Sequence, residues 1–466
     1  MTDVTAPDRS EDLATRPIGR LLLWAGSQTT LSVGVYGVYA LTNAWFVARG
    51  VGETALAAVN LVAPVLLLLG AVATTVGVGG ASLVSRSLGA RDSDAAARAA
   101  GNAFVVYWVT AVVVTATGLA LLDPLLRLMG ATDETLPDAR AYGAVIIGGA
   151  IFATGFSALV RAEGRMLFST LLWVVPVVVQ IVLDPILIFG FDLGVVGAGL
   201  GTVAGQAVSA AMAVWFFFIR RRRPYRIEGR HLRPRWKTVG ELLSIGAPSF
   251  LLGIGVTALA VLVNALLAAA GTVVLAAYAV CSRVQTFVTM PQMGITQAVQ
   301  PIVGFNAGRG LGARADRART LALRATIGVG AAASATVVIA AEPLASLFLT
   351  DAVSVSTAAT ALRVIAIGFV FSGIAPLISA TFQALGRPAP SYAISVGTLV
   401  AVKAPLVLLL APFGPIGVLV ALPIGDAVSA AGAWLVFRRA RTRSRAGSAS
   451  AGSASPGSPS VSSRRP

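Results

Sequence analysis

The sequence predicts an all-α integral membrane protein with twelve transmembrane helices in two six-helix lobes. Three observations lead there: scarce charge, recurring apolar runs about twenty residues long, and an internal repeat near half the chain length. Of the 466 residues, 56% are hydrophobic and 12% are charged, and the mean hydropathy is +0.81. A soluble domain carries charge on about a quarter of its residues. Runs of roughly twenty apolar residues match the ~30 Å of hydrocarbon that a helix has to cross. No water is available at that depth, so the backbone satisfies itself in helices or in a closed barrel. Barrel strands alternate apolar and polar residues, whereas the stretch 62–73 is apolar on every side. Helices are the reading that remains.

Apolar windows set against helix breakers place spans at 20–48, 55–85, 99–122, 139–160, 166–190 and 194–219. A second set falls at 240–268, 273–305, 320–340, 356–384, 389–411 and 415–437. The longest windows exceed one bilayer crossing, so those helices tilt, bend or protrude. The chain then divides into an N-terminal tail (1–19), a first lobe (20–219), a basic inter-lobe loop (220–239), a second lobe (240–438) and a tail (439–466). That last segment is rich in Gly, Ser and Pro and is expected to be disordered. The N-terminal tail carries Asp3, Asp8, Glu11 and Asp12 and lacks the basic start of a signal peptide. The first span is therefore expected to stay in the membrane.

A net charge of +16 raises the question of nucleic acid. Position answers it. Most of the 36 Lys and Arg lie in the tails and on one set of alternate loops, for example Arg86, Arg91, Arg98, Arg161, Arg165, Arg220–Arg223 and Arg309–Arg319. The opposite loops carry Asp123, Asp133, Glu134, Asp138, Asp192, Glu342 and Asp351. Such a bias marks the cytoplasmic side of a membrane protein, so no nucleic-acid partner is expected. Both termini then face the cytoplasm, the span number is even, and the location is a multi-pass plasma (inner) membrane. A single Cys281 rules out an intramolecular disulfide and a multi-Cys metal site. A single His231 falls in the basic loop and reads as a solvated residue. With one His and one Cys, a membrane enzyme lacks its constellation. No cofactor or metal is expected, and the chain reads as a monomer.

The halves resemble each other at a nearly constant offset. Ser157-Ala-Leu-Val-Arg-Ala-Glu-Gly-Arg165 aligns with Ser379-Ala-Thr-Phe-Gln-Ala-Leu-Gly-Arg387. Leu88-Gly-Ala-Arg91 aligns with Leu311-Gly-Ala-Arg314, and Ala207-Val-Ser-Ala210 with Ala427-Val-Ser-Ala430. Three matches in one order at nearly one spacing indicate duplication. Six spans per repeat make the repeats parallel, and in secondary transporters such repeats flank a substrate path.

The segments Thr42-Asn-Ala-Trp-Phe-Val-Ala-Arg-Gly-Val-Gly-Glu-Thr-Ala-Leu-Ala-Ala58, Leu183-Asp-Pro-Ile-Leu-Ile-Phe-Gly190 followed by Gly194-Val-Val-Gly-Ala-Gly199, and Gln297-Ala-Val-Gln-Pro-Ile-Val-Gly-Phe-Asn-Ala-Gly308 carry a further signal. Over residues 18–438 the chain resembles the multidrug and toxic compound extrusion (MATE) family, and within it the DinF-like branch. The resemblance implies a V-shaped pair of lobes and export of organic, often cationic, compounds by antiport with H⁺ or Na⁺. It also implies that Asp184, Gln180, Thr202 and Asn43 match that branch's cation-responsive cluster. Two positions depart from it, since the family usually has Asp at position 43 and Asn at position 180. Acids that the NorM-like branch carries in its seventh and tenth spans have no counterpart here.

The same residues stand out without the family. Asn43 and Asp184 lie five or six residues before the outer ends of outward-running spans, and Thr202 about eight after the start of an inward-running one. At about 1.5 Å per residue all three share one level, roughly 7–12 Å below the outer boundary. Gln180 is one helical turn from Asp184, and Gln206 one turn from Thr202. A carboxylate at that depth is a functional candidate by default. Burial raises the pKa of a carboxylic acid, which lets such a group exchange protons near neutrality. With a single acid, H⁺ is favoured over Na⁺ as the coupling ion, with Asp184 exchanging the proton and Asn43, Gln180, Thr202 and Gln206 tuning it.

Substrate candidates are Tyr36 and Tyr39, which could stack on a flat cation, together with Arg283 and Asp426. Trp45 reads as an interfacial anchor. Arg283 could form an ion pair across the bundle, and Lys403 also falls within a span. A lipid or lipid-linked-glycan flippase is the rival reading, but a pyrophosphate carrier needs more basic residues in its cavity than Arg283 and Lys403.

Overall fold

The computed structural model describes residues 10–153, 155–220 and 223–452, all of whose regular elements are helices or helical turns. The first lobe comprises α1 (Ile18–Gly50), α2 (Glu53–Gly89), α3 (Ser93–Ala120), α4 (Leu136–Ala162), α5 (Met166–Gly190) and α6 (Gly194–Ile219). The second comprises α7 (Trp236–Ala268), α8 (Thr272–Gly308), α9 (Gly312–Ile339), α10, α11 and α12. Span α10 is two helices, Ala352–Ala366 and Phe369–Ala384, bent by 42° at the break. The apolar stretch Pro388–Ala440 is 53 residues long. At about 1.5 Å per residue it is far longer than one crossing. Gly414, with φ +79°, turns the chain there and divides it into α11 (388–410) and α12 (Gly414–Gly452), which pack on each other. Twelve spans result among the described residues.

Boundaries shift at two places. Helix α7 starts at Trp236, inside the expected inter-lobe loop. Helix α12 runs on to Gly452, so the part of the expected disordered tail from 439 to 452 is helical. Residues 453–466 lie outside the described residues, as do residues 1–9. From Ser10 onward the N-terminal tail is docked. Leu13 is buried, its carbonyl accepts a hydrogen bond from Asn306 at 2.9 Å, and Glu11 pairs with Arg309 at 2.7 Å.

Turn regions rich in Arg gather at one end of the bundle, here the basic end, and the acidic turns at the other. The lobes meet from mid-span to the basic end. Close approach needs residues without bulk, and glycine supplies it. A Cβ at Gly79 of α2 would overlap the Leu242 carbonyl of α7, and one at Gly246 of α7 would overlap the Thr75 carbonyl of α2. Ser82 donates across the same seam to the Gln383 carbonyl at 2.6 Å, and Thr29 of α1 to the Gly294 carbonyl of α8 at 2.6 Å. Small residues at helix crossings allow this backbone-to-backbone packing inside a membrane.

The basic linker is folded onto the first lobe. Arg223 is buried and pairs with the fully buried Glu163, its guanidinium lying over the rings of Phe216, Phe217 and Tyr225. Further on, Asn102 of α3 donates to the His231 carbonyl at 3.1 Å and accepts from the Arg235 N–H at 2.8 Å. His231 is buried, which corrects the expectation of a solvated residue. Its Nδ1 accepts from the Glu228 N–H at 3.0 Å, so the proton sits on Nε2, which donates to Asp94 at 2.9 Å. Burial, with Arg230, Arg98 and Arg235 nearby, holds the imidazole below its ordinary pKa against the opposing pull of Glu228.

Candidate functional site

Helix α5 contains Pro176 and Pro185, and beyond Pro185 it loosens into a wider π-type turn over Ile186–Gly190. Proline removes a backbone donor and disturbs the preceding turn. Asp184 therefore sits where the helix changes pitch. Helix α6 lies against it along Gly197, Gly201 and Gly205, one residue per turn on one face. Cβ atoms at Gly197 and Gly205 would come within 2.9 Å of the Leu187 carbonyl carbon and 2.7 Å of the Pro176 oxygen. At Gly201 a Cβ would overlap Asp184 Oδ1. This stripe brings Thr202 to the acid.

The structure joins four of the five expected residues. Asn43 Nδ2 donates to Thr202 Oγ1 at 3.3 Å. Gln180 Nε2 donates to Thr202 Oγ1 and to Asp184 Oδ2, both at 3.2 Å. The Thr202 hydroxyl donates to the Ala198 carbonyl at 3.0 Å. All four side chains are at most 5% exposed, so helices α1, α5 and α6 share a closed polar knot. Asp184 Oδ1 is buried with no hydrogen-bond partner among the described residues. Every described polar neighbour of the acid is neutral. Gln206 is half-buried and makes no described bond to the knot. Reading along the chain did not single out Gly201; its signal is the four-residue spacing of Gly197, Gly201 and Gly205.

The other candidates are dispersed. Asp426 is buried and paired with Lys403 at 2.6 Å, and its carboxylate lies beside Gly368 at the break of α10. Arg283 is exposed, with its guanidinium 5.7 Å from the Phe348 ring centroid and no ion pair described. Tyr39 is half-buried on α1, while the side chain of Tyr36 lies outside the described residues. Trp45 is exposed and carries Arg49 over its ring at 5.8 Å.

A family model described as MatE matches residues 30–186 and 248–409. The chain is 30% identical over 423 residues to a protein named multidrug export protein MepA from Staphylococcus aureus (strain N315), covering 89% of this chain and 91% of that one. It is 28% identical over 413 residues to the protein of that name from Staphylococcus haemolyticus, covering 87% and 90%. Among solved structures, a MATE protein in the bent conformation superposes with a TM-score of 0.89 at 25% identity, covering 95% of this chain and 100% of that one. An outward-facing multidrug resistance MATE family transporter superposes at 0.87 and 25% identity, covering 93% and 98%. Two repeats, twelve spans and a family match over most of the length agree: this chain belongs to the MATE family of membrane transporters.

Proposed function

We propose that the protein exports organic cations or amphiphiles from the cell by antiport with H⁺, Asp184 carrying the proton. The observation that supports this best is the setting of Asp184: buried, reached among the described residues only by neutral groups, and with one carboxyl oxygen unpartnered. An isolated ionised carboxylate is costly in such a place, whereas the neutral acid is at ease there. Proton uptake and release would thus be tied to whether water and substrate reach the knot. Gln180 bonds the acid and also Thr202, which accepts from Asn43, so a change in the charge of Asp184 would be passed through Gln180 to α6 and α1. Gln206 is assigned a tuning role at the edge of the knot, and Tyr36, Tyr39, Arg283 and Asp426 are candidate substrate contacts.

The Arg-rich end is taken as cytoplasmic, which puts both termini inside. With that orientation, lobes joined at the basic end correspond to an outward-facing arrangement. Alternating access then requires the glycine seam between α2, α7 and α8 to part. The chain is taken to act as a monomer, each lobe moving as a unit within the limits 20–219 and 240–438.

The flippase reading is weaker. Lys403 is tied to Asp426, so one of the two candidate pyrophosphate ligands already has its charge paired, and Arg283 alone is left.

The test is ethidium-driven proton movement in proteoliposomes without sodium, comparing wild type with Asp184→Asn. Flux in wild type and none in the variant supports the proposal. Equal flux in both removes Asp184 from the mechanism, and flux that requires sodium reassigns the coupling ion.

A further inference from the structure

The internal repeat allows the basic ends of the two lobes to be compared residue by residue, and they differ in two respects. In the first lobe, Glu163 is a fully buried anion held by Arg223 and, at 3.9 Å, by Arg165. Arg223 reaches in from the inter-lobe linker and covers Phe217 at 4.4 Å from the ring centroid. The cation thus pairs with the carboxylate while lying against the aromatic wall.

In the register that pairs Ser157 with Ser379, Arg387 stands for Arg165 and Leu385 for Glu163. In the register that pairs Ala207 with Ala427, Phe437 stands for Phe217. The second lobe therefore keeps the aromatic wall and the arginine and loses the carboxylate. It also replaces the linker's cation. Arg319 of α9 lies over Phe437 at 4.0 Å, taking the place that Arg223 takes over Phe217. Helix α12 continues past Phe437 as far as Gly452. What remains is a cavity of about 340 Å³, open to the surface, between the ends of α8, α9, α10 and α12. Arg319, Arg387 and Asp316 line its polar side, and Phe382, Leu385 and Phe437 its apolar side. Asp316 pairs with Arg319 at 3.0 Å, which leaves Arg387 as the excess charge.

We infer that this cavity binds an anionic phospholipid, its phosphate taking the place that Glu163 holds in the first lobe. The chemistry fits a ligand with one phosphate and an apolar remainder: exposed Arg387 at the mouth, a guanidinium stacked on a ring, and two phenylalanines behind them. The location is the basic end of the spans, where headgroups lie and basic pockets between helices recruit anionic lipids. Sidedness, taken from the proposed function, decides only which leaflet supplies the lipid.

Native mass spectrometry of the full-length protein, delipidated in detergent and titrated with phosphatidylglycerol or phosphatidylcholine, tests this. The first phosphatidylglycerol should bind about fivefold more tightly than phosphatidylcholine, the effect of about 1 kcal/mol for one arginine near a headgroup. Arg387→Gln should abolish that preference. So should Leu385→Glu, which restores the internal carboxylate. Arg387 is exposed, so its variant should melt with wild type. Arg230→Gln, on the far linker, should bind as wild type does. Preference that survives both Arg387→Gln and Leu385→Glu would overturn the assignment. Displacement of the lipid by an equal concentration of inorganic phosphate would overturn it in favour of a soluble anion.

Discussion

Gly201 and Asp184 face each other across the α5–α6 crossing so closely that a methyl group at position 201 would overlap the carboxyl oxygen Oδ1. The acid's neighbour is backbone, and backbone does not yield. The glycine therefore fixes where the carboxyl group lies relative to Thr202.

Gly201→Ala should displace Asp184 while leaving the rest of the lobe folded. Overpacking of this kind costs about 1–3 kcal/mol. The expected outcome is a modest fall in melting temperature in detergent with loss of most substrate-driven proton flux. Normal flux would mean that the position of Asp184 is not critical.

Thr202 is the acceptor shared by Asn43 and Gln180, so Thr202→Val leaves Asn43 Nδ2 without that partner. An unsatisfied buried donor costs about 1–3 kcal/mol. Transport should fall severalfold in the valine variant and return in Thr202→Ser, which keeps the hydroxyl. Failure of serine to rescue would assign the effect to packing.

Glu163→Leu should be the most destabilising single change at the basic end. It leaves Arg223 buried beside Phe216, Phe217 and Tyr225 without its carboxylate, and breaking a buried pair costs about 3–5 kcal/mol. The double variant Glu163→Leu with Arg223→Leu should recover much of that loss, measured by thermal unfolding.

The seam glycines offer a test of the conformational cycle. Gly246→Leu should push α7 from the Thr75 carbonyl of α2 and loosen the basic end. A cysteine placed at Ser82, buried in the seam, should then react faster with a membrane-impermeant thiol reagent added from that side, in a Cys281→Ala background. Unchanged labelling would mean that the lobes do not part there.

His231 gives the linker a pH dependence with a defined sign. Its folded pKa lies below the ordinary value, because burial and then the nearby Arg230, Arg98 and Arg235 disfavour the charged ring, against the opposing pull of Glu228. Below the ordinary value of about 6.5 the unfolded chain binds the proton that the folded one excludes. The stability contributed by the neutral ring is therefore present above that pH and lost as pH falls through the folded value. His231→Gln should flatten the decline in melting temperature on acidification; an unchanged slope would assign the decline to other groups.

Much of this was legible along the chain. Apolar length without alternation dictated the helices, because in hydrocarbon the backbone satisfies itself only in helices or in a closed barrel. The correspondence of Arg165 with Arg387 announced two lobes, and one-turn spacing put Gln180 beside Asp184. Other features depend on which helix faces which. His231 looks solvated in a basic loop, yet Asn102 and Asp94 of the distant helix α3 bury it. Asp426 and Lys403 look like separate charges until α11 and α12 fold back at Gly414 and bring them into a pair. Gln206 has the expected spacing but makes no described bond to the knot. Local sequence sets periodicity and depth, because both follow from the fixed rise and turn of the helix. Only tertiary contact decides which buried polar atoms are satisfied, because their partners lie on helices the local pattern does not pair.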